Sequence, residues 1–187
     1  MTAVATIPDR GPFTLPLLSK GYFNFQDPSQ SVYGIKDIAV GLSKQLRFAG
    51  QTYRPYSVAQ HSVLLSRIVP KEMAAFAMLH DGPEFVMCDL VKPLKGLLFG
   101  YQQLEQKVLE DMFQRFGLAW PMPAEIHESD RELARLESRH LRPWLYEEPP
   151  PGGLGFFHGA LYGEPWWSTE IAVAEYLHRW EEVRAAS

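Results

Sequence analysis

At 187 residues and 46% hydrophobic composition, the chain is long enough to bury a core and too short for two domains of ordinary size. Its 18 basic residues are outnumbered by 22 acidic ones and no two of them are adjacent, which argues against a nucleic-acid-binding surface. A single cysteine, Cys88, excludes an intramolecular disulfide, no apolar run approaches the roughly 18 to 20 residues of a membrane span, and no signal-like segment opens the chain, so a reducing cytoplasm is the expected compartment.

The first 35 residues hold Pro8, Pro12, Pro16 and Pro28 among Gly, Ser and aromatic residues, a composition that predicts irregular or short extended structure packed onto a core. From Ile35 the spacing turns helical: Ile35, Ile38, Ala39, Leu42 and Leu46 form one stripe, broken at Gly50-Gln51. Ser57 is placed to cap a helix through Val58, Ala59, Val63, Leu64 and Ile68, which Pro70 closes. A further apolar helix runs from Met73 through Ala74, Ala77, Met78 and Leu79 to His80, where Gly82-Pro83 disturbs it and a "DLVKP" turn follows. Tyr101 to Phe116 and Ala124 to His140 predict two more helices around a Gly117 to Pro123 break.

Arg142 to Pro165 is rich in Pro, Gly and aromatics and predicts a long loop, with Trp144, Phe156, Phe157 and Leu161 wrapping it onto the domain. A last helix begins at Ser168, with Glu170 in its first turn, and presents Ile171, Val173, Ala174, Leu177 and Trp180. With no repeat and no strand-rich region, the expected class is all-α. One domain spans 1–187, with its core at about 35–140 and the wrapping loop and C-terminal helix at 141–187.

Three stretches set ligand-type side chains among apolar neighbours: "SVAQHS" with His61, "LHDGPE" with His80, Asp81 and Glu84, and "HESDRELARLE" with Asp130. A buried carboxylate or imidazole is costly unless paired or bound to a cation, so the His-Asp pair behind "AAFAMLHD" needs a partner. Two imidazoles and two carboxylates suit a divalent metal with coordination positions left open.

In this order the four residues resemble the HD phosphohydrolase superfamily, whose pattern is a His on one helix, a His-Asp pair on a later one and a distant Asp. The stretches "LSKQLRFAG", "RPYSVAQHSVLLSR", "LHDGPEFVMCDLVKPLK", "LEQKVLEDMFQRFGL", "SDRELARLE" and "PWWSTEIAVAEYLHRW" look like the branch with bacterial 5'-deoxynucleotidases and phage dATP triphosphohydrolases, over roughly residues 15 to 184. The resemblance implies a helical HD-domain bundle and one divalent ion, Co, Mn, Zn, Fe or Mg, on His61, His80, Asp81 and Asp130. The dinuclear members' extra His-rich motifs are absent from this sequence, so His127, one turn before Asp130, is not expected to hold a second ion. His140, His158 and His178 read as surface or satisfied core residues, and Cys88 as packing beside Met87.

The same resemblance gives Glu84 a role in moving a proton of the attacking water or leaving oxygen, with Asp81 beside it. Pro83 disfavours helical backbone at Gly82, so a kink that displaces Glu84 is an open alternative. Arg47 and Phe48 match an Arg-aromatic pair of the nucleotide pocket, where a guanidinium suits phosphate or sugar oxygens and a ring suits a base or deoxyribose; the alternative is a surface Arg beside a core Phe. Arg54, Lys92 and Lys95 are candidate phosphate contacts, or simply solvated cations. Asp89 matches a residue facing the sugar 3'-hydroxyl, or else caps the next turn.

The expected activity is hydrolysis of a deoxynucleotide, foremost release of triphosphate from a dATP-type substrate. Removal of the 5'-phosphate from a deoxynucleoside monophosphate is the alternative within the class. A nucleotide-binding regulator without turnover and a purely structural helical module are the other classes. The expected partner is the deoxynucleotide substrate, with no nucleic acid and no membrane, and a homo-oligomer is compatible with the sequence. The compartment is the bacterial cytoplasm, or the host cytoplasm if the chain is phage-encoded.

Overall fold

A computed structural model describes residues 11–52, 54–146 and 166–186. Two short strands, β1 (Thr14–Pro16) and β2 (Tyr22–Asn24), pair antiparallel with Leu15 opposite Phe23. Three residues each are too few to form a layer. The hairpin instead delivers Phe23, fully buried, edge-on to Phe85 at a ring separation of 5.6 Å. The longer elements that follow are helical, and the fold is all-α.

Helix α1 (Ile35–Lys44) starts where the Asp37 carboxylate accepts a hydrogen bond from the Gly34 N–H at 3.0 Å, and buries Ile38, Ala39 and Leu42. It stops at Gln45, five residues before the predicted break at Gly50. Leu46 is therefore outside the stripe: its backbone is extended, it bridges Ser57, and its side chain is exposed. Helix α2 (Val58–Ile68) is capped as predicted, the Ser57 hydroxyl accepting from the Gln60 N–H at 3.2 Å. Every residue from Val58 to Ser66 is buried, because α2 is packed by α1, by α3 (Ala74–Leu79) and by the C-terminal helix α8 (Thr169–Ala185).

Two single turns follow, α4 (Glu84–Met87) and α5 (Lys92–Lys95), then the long helices α6 (Tyr101–Phe116) and α7 (Ala124–Leu141) at nearly the predicted limits. Helix α4 lies directly on α1: a side chain at Gly41 would fall 2.6 Å from Phe85 Cβ and from its carbonyl oxygen, so only glycine permits this approach. Two apolar clusters fill the interior and share Phe76 and Met122 at their border.

The Ser168 hydroxyl caps α8 by accepting from the Ile171 N–H at 3.3 Å. The buried face of α8 agrees with the predicted one only in part: Ala172, Tyr176, Trp180 and Val183 are buried and the predicted Val173 and Leu177 pack against the core, while Ile171 and Ala174 are exposed. The Tyr176 hydroxyl sets this rotation by donating to the Met78 carbonyl at 2.5 Å. Cys88, expected to pack, is exposed, because α4 ends on it with backbone φ of 66°. Trp144 is also exposed rather than wrapped onto the domain, and Phe156, Phe157, His158 and Leu161 lie outside the described residues. His140 is buried and donates from Nδ1 to the Leu136 carbonyl at 2.8 Å, and His178 is a surface residue beside Glu182, both as expected. Among the described residues no helix is long and apolar enough to cross a membrane.

Candidate metal centre

His61 lies one turn into α2, His80 ends α3 with Asp81 following, and Asp130 sits in the second turn of α7. Three helices far apart in sequence thus bring one ligand atom each from His61, His80, Asp81 and Asp130 within 4.8 Å of one another, a group that could hold a metal ion. The two Nε2 atoms are 3.2 Å apart. His61 Nε2 is 3.1 Å from Asp130 Oδ1 and 3.8 Å from Asp81 Oδ2, and His80 Nε2 is 3.1 Å from Asp81 Oδ2 and 3.8 Å from Asp130 Oδ1. Around an ion about 2.1 Å from each ligand, separations of 3.1 to 3.8 Å correspond to angles of about 95° to 130°. Such angles bracket the tetrahedral value, so the four side chains can share one ion.

Hydrogen bonds on the far side of each ring fix which nitrogen faces this centre. His80 Nδ1 is 2.8 Å from the Ala77 carbonyl, which can only accept, so Nδ1 carries the proton. His61 Nδ1 is 2.6 Å from Glu137 Oε1 and likewise donates. In the neutral rings both Nε2 atoms therefore present lone pairs toward each other and toward two carboxylates. Asp130 Oδ1 is buried there without a hydrogen-bond donor. Four acceptors at such distances repel unless positive charge lies among them; Arg47 supplies part of it from one side, and the donor set suits a divalent transition metal.

The acid-base directions reflect the same convergence. His80 is fully enclosed, which disfavours its charged form, yet Asp81 and Asp130 raise its pKa well above the ordinary histidine value. Burial would raise Asp81 and Asp130, but the imidazoles against them, with Arg47 beside Asp81, hold both well below the usual carboxylate range.

Glu137 was not singled out in the sequence. It is completely buried, accepts from His61 Nδ1, from the Tyr56 hydroxyl at 2.8 Å and from Arg47 Nε at 3.1 Å, and stays ionised against its burial because Arg47 and His61 face it. A carboxylate behind a ligand histidine fixes the ring and makes its free nitrogen a better donor to a metal. A signal was present: Glu137 follows Asp130 by seven residues, two turns of helix, on the same face of α7.

Arg47 reaches across the centre, with Nη1 3.1 Å from Asp81 Oδ2 and Nη2 3.8 Å from Asp130 Oδ1. Its segment is tied to the start of α2 by hydrogen bonds from the Arg47 N–H to the Tyr56 carbonyl and from the Val58 N–H to the Gln45 carbonyl, 2.9 and 3.0 Å. It is neither a surface residue nor free to meet a substrate unaided.

Glu84 stays at the site despite Pro83. Gly82 and Pro83 form a tight turn in which the Gly82 N–H donates to the Leu79 carbonyl and the Glu84 N–H to the Asp81 carbonyl, at 2.8 and 3.1 Å. Glycine is required at 82, where a Cβ would lie 2.8 Å from the Leu79 carbonyl and 2.3 Å from Met112 Sδ. Glu84 is buried, one carboxylate oxygen has no hydrogen-bond donor, and burial together with Asp81 and Asp89 pushes its pKa well up. A carboxyl so placed can exchange a proton with a group that enters the cavity.

Glu84 shares a cavity of about 350 Å³ with Arg47, Phe48, Asp81, Asp89, Lys92, Lys95, Asp130 and Arg142. Asp89 borders it and α5 has no side-chain cap, so the capping alternative for Asp89 falls away. Lys95 also borders it, but its charge is taken up by Glu105 at 2.7 Å and Glu84 at 3.4 Å. Arg54 is not brought to the centre: it is exposed and lies over the Trp166 ring, 5.2 Å from its centroid. His127 is outside the four-residue group but lines a second cavity of about 360 Å³, also bounded by Asp81, Asp130 and Lys95. Arg142 is a second residue that sequence reasoning missed, since nothing in the loop sequence after α7 announces it.

The architecture is thus that of an all-α protein with a two-histidine, two-aspartate group in which the histidines are buried and the aspartates part-buried. No family model matches the chain. It is 41% identical over 107 residues to the uncharacterized protein YfdR of Escherichia coli (strain K12), a match covering 57% of this chain and 60% of that protein's length. It is 33% identical over 139 residues to an uncharacterized protein of Rhodobacter capsulatus, covering 67% of this chain and 71% of the relative. The chain belongs to the same family as the Rhodobacter protein.

Proposed function

We propose that the protein is a metal-dependent phosphohydrolase of the HD kind, acting on deoxynucleotides. The observation that carries this reading is the pair of ligand histidines whose protonated Nδ1 atoms are turned outward, leaving both Nε2 lone pairs converging with Asp81 and Asp130. A divalent ion bound by His61, His80, Asp81 and Asp130 would supply a water of lowered pKa and polarise a phosphoryl oxygen. Glu84, which lines the cavity, would take the proton of the attacking water as the bond from water oxygen to phosphorus forms, and would return it to the departing 5'-oxygen as the bond from phosphorus to that oxygen breaks. Asp89, across the cavity, is the acceptor available to a sugar hydroxyl.

A specific observation bears on the number of phosphates. The triphosphate reading rests on Arg54, Lys92 and Lys95, yet Arg54 is directed to Trp166 and Lys95 is engaged by two glutamates. That favours the second reading, a 5'-deoxynucleotidase that converts a monophosphate to deoxynucleoside and phosphate. The test is incubation with each dNTP and dNMP under Mg²⁺, Mn²⁺, Co²⁺ and Zn²⁺, with products identified by mass. Deoxynucleoside plus phosphate supports the monophosphate reading, deoxynucleoside plus triphosphate the other, and absence of product with every metal refutes both.

A further inference from the structure

We propose that Arg142 is a phosphate-binding residue of this site, and that Phe48 serves to hold its guanidinium rather than to stack on a base. The inference rests on reading the cavity as a phosphoester site and names the group that meets the phosphate. Four cations border that cavity: Arg47, Lys92, Lys95 and Arg142. Arg47 is bound to Asp81, Asp130 and Glu137, and Lys95 to Glu84 and Glu105. Lys92 is exposed at the rim. Arg142, at the end of α7, has no carboxylate within ion-pair distance among the described residues, and its Nε is buried without a hydrogen-bond partner.

A buried guanidinium nitrogen is rarely left without an acceptor. Arg142 is instead fixed in position with its charge uncompensated. Its guanidinium carbon lies 4.2 Å from the centroid of Phe48, and Nη2 donates at 2.7 Å to the Ser138 hydroxyl, which is itself 2.6 Å from the Tyr146 hydroxyl. A planar fork held by a ring and a hydroxyl at a cavity wall is arranged for an oxyanion arriving from outside.

Phe48 fits that duty better than stacking. Its backbone and that of Ala49 are left-handed, with φ of 58° and 52°, a conformation that residues other than glycine adopt at an energetic cost and keep where a side chain must be aimed. The aimed ring carries guanidiniums from Arg142 at 4.2 Å and Arg47 at 5.6 Å. Attraction of cations to the ring face occupies the surface a base would need.

The test is calorimetric titration, with and without Mn²⁺, of the parent, Arg142→Gln, Arg142→Lys, Phe48→Leu and the Phe48→Leu/Arg142→Gln double variant. The probes are pyrophosphate, the non-hydrolysable 5'-phosphonate analogue of dAMP, and deoxyadenosine. Arg142→Gln is expected to weaken pyrophosphate and phosphonate about ten- to a hundredfold while leaving deoxyadenosine unchanged, and Arg142→Lys to recover part of the loss. Phe48→Leu should weaken pyrophosphate in the parent and have no further effect in the Arg142→Gln background. Parent-like pyrophosphate binding in Arg142→Gln, or no binding of either phosphorus-containing probe to the parent, overturns the assignment. A Phe48→Leu loss as large for deoxyadenosine as for the phosphonate overturns the role given to the ring. If the parent binds pyrophosphate through Arg142 but neither nucleoside probe, the anion site stands and the deoxynucleotide reading falls.

Discussion

Replacing Glu137 by glutamine separates metal binding from folding. The substitution keeps the shape that fills the space between α2 and α7 but removes the charge 2.6 Å from His61 Nδ1 and 3.1 Å from Arg47 Nε. His61 then donates to a neutral amide oxygen, its Nε2 becomes less basic, and Arg47 keeps Asp81 and Asp130 as its remaining acidic neighbours. Losing a carboxylate behind a ligand histidine typically costs ten- to a hundredfold in metal affinity, about 1.4 to 2.8 kcal/mol. The assay is competition for Mn²⁺ or Co²⁺ against a chromophoric chelator, with thermal unfolding of the metal-free proteins recorded alongside. Tyr56→Phe is the control: it deletes one hydrogen bond to the same carboxylate but leaves the carboxylate's charge behind the His61 ring, and should weaken affinity less than Glu137→Gln does. A Glu137→Gln protein that binds metal as tightly as the parent would refute the reasoning.

Glu84→Gln should bind metal like the parent and slow turnover by about 10² to 10⁴, the usual worth of a positioned acid or base; a parent-like single-turnover rate rules out its role in proton transfer. Asp81→Ala should remove stoichiometric metal and all turnover while preserving the circular dichroism spectrum, and activity within a few-fold of the parent would mean the centre lies elsewhere. Gly41→Ala should destabilise by about 1 to 3 kcal/mol, because the new methyl meets Phe85 backbone atoms that cannot move aside, and an unchanged Tm would contradict that packing.

The helices were legible where one signal dominated. Ser57 and Ser168 caps and the Gly117 break put α2, α8 and α6 close to their predicted limits, since a hydroxyl cap or a left-handed glycine acts within a single turn. The orientation of α8 was legible only in part, with Val173, Leu177 and Trp180 on the core side as expected, because apolar residues surround most of its circumference and a hydroxyl on Tyr176, bonding to a carbonyl on another helix, helps select the face. In the centre, the four ligand-type residues were apparent from order and apolar context. Glu137 and Arg142 were not, for their meaning depends on what lies across from them: an imidazole 76 residues earlier for one, a strained phenylalanine for the other. The kink expected from Pro83 did not displace Glu84, because proline at the N-terminal edge of a helix needs no N–H partner and α4 simply begins there.

The bridge that Arg47 makes between Asp81, Asp130 and Glu137 bears on which ions the centre accepts. Three carboxylates face one guanidinium here, and with the imidazoles neutral, as metal ligands must be, two negative charges remain. A divalent ion cancels them. A monovalent ion leaves one negative charge in the enclosure and a trivalent ion one positive, and uncompensated charge away from water is expensive whichever its sign. Charge balance therefore favours a divalent ion at this site, and an Arg47→Met protein, with its resident cation gone, should shift its preference toward more highly charged ions such as the trivalent lanthanides.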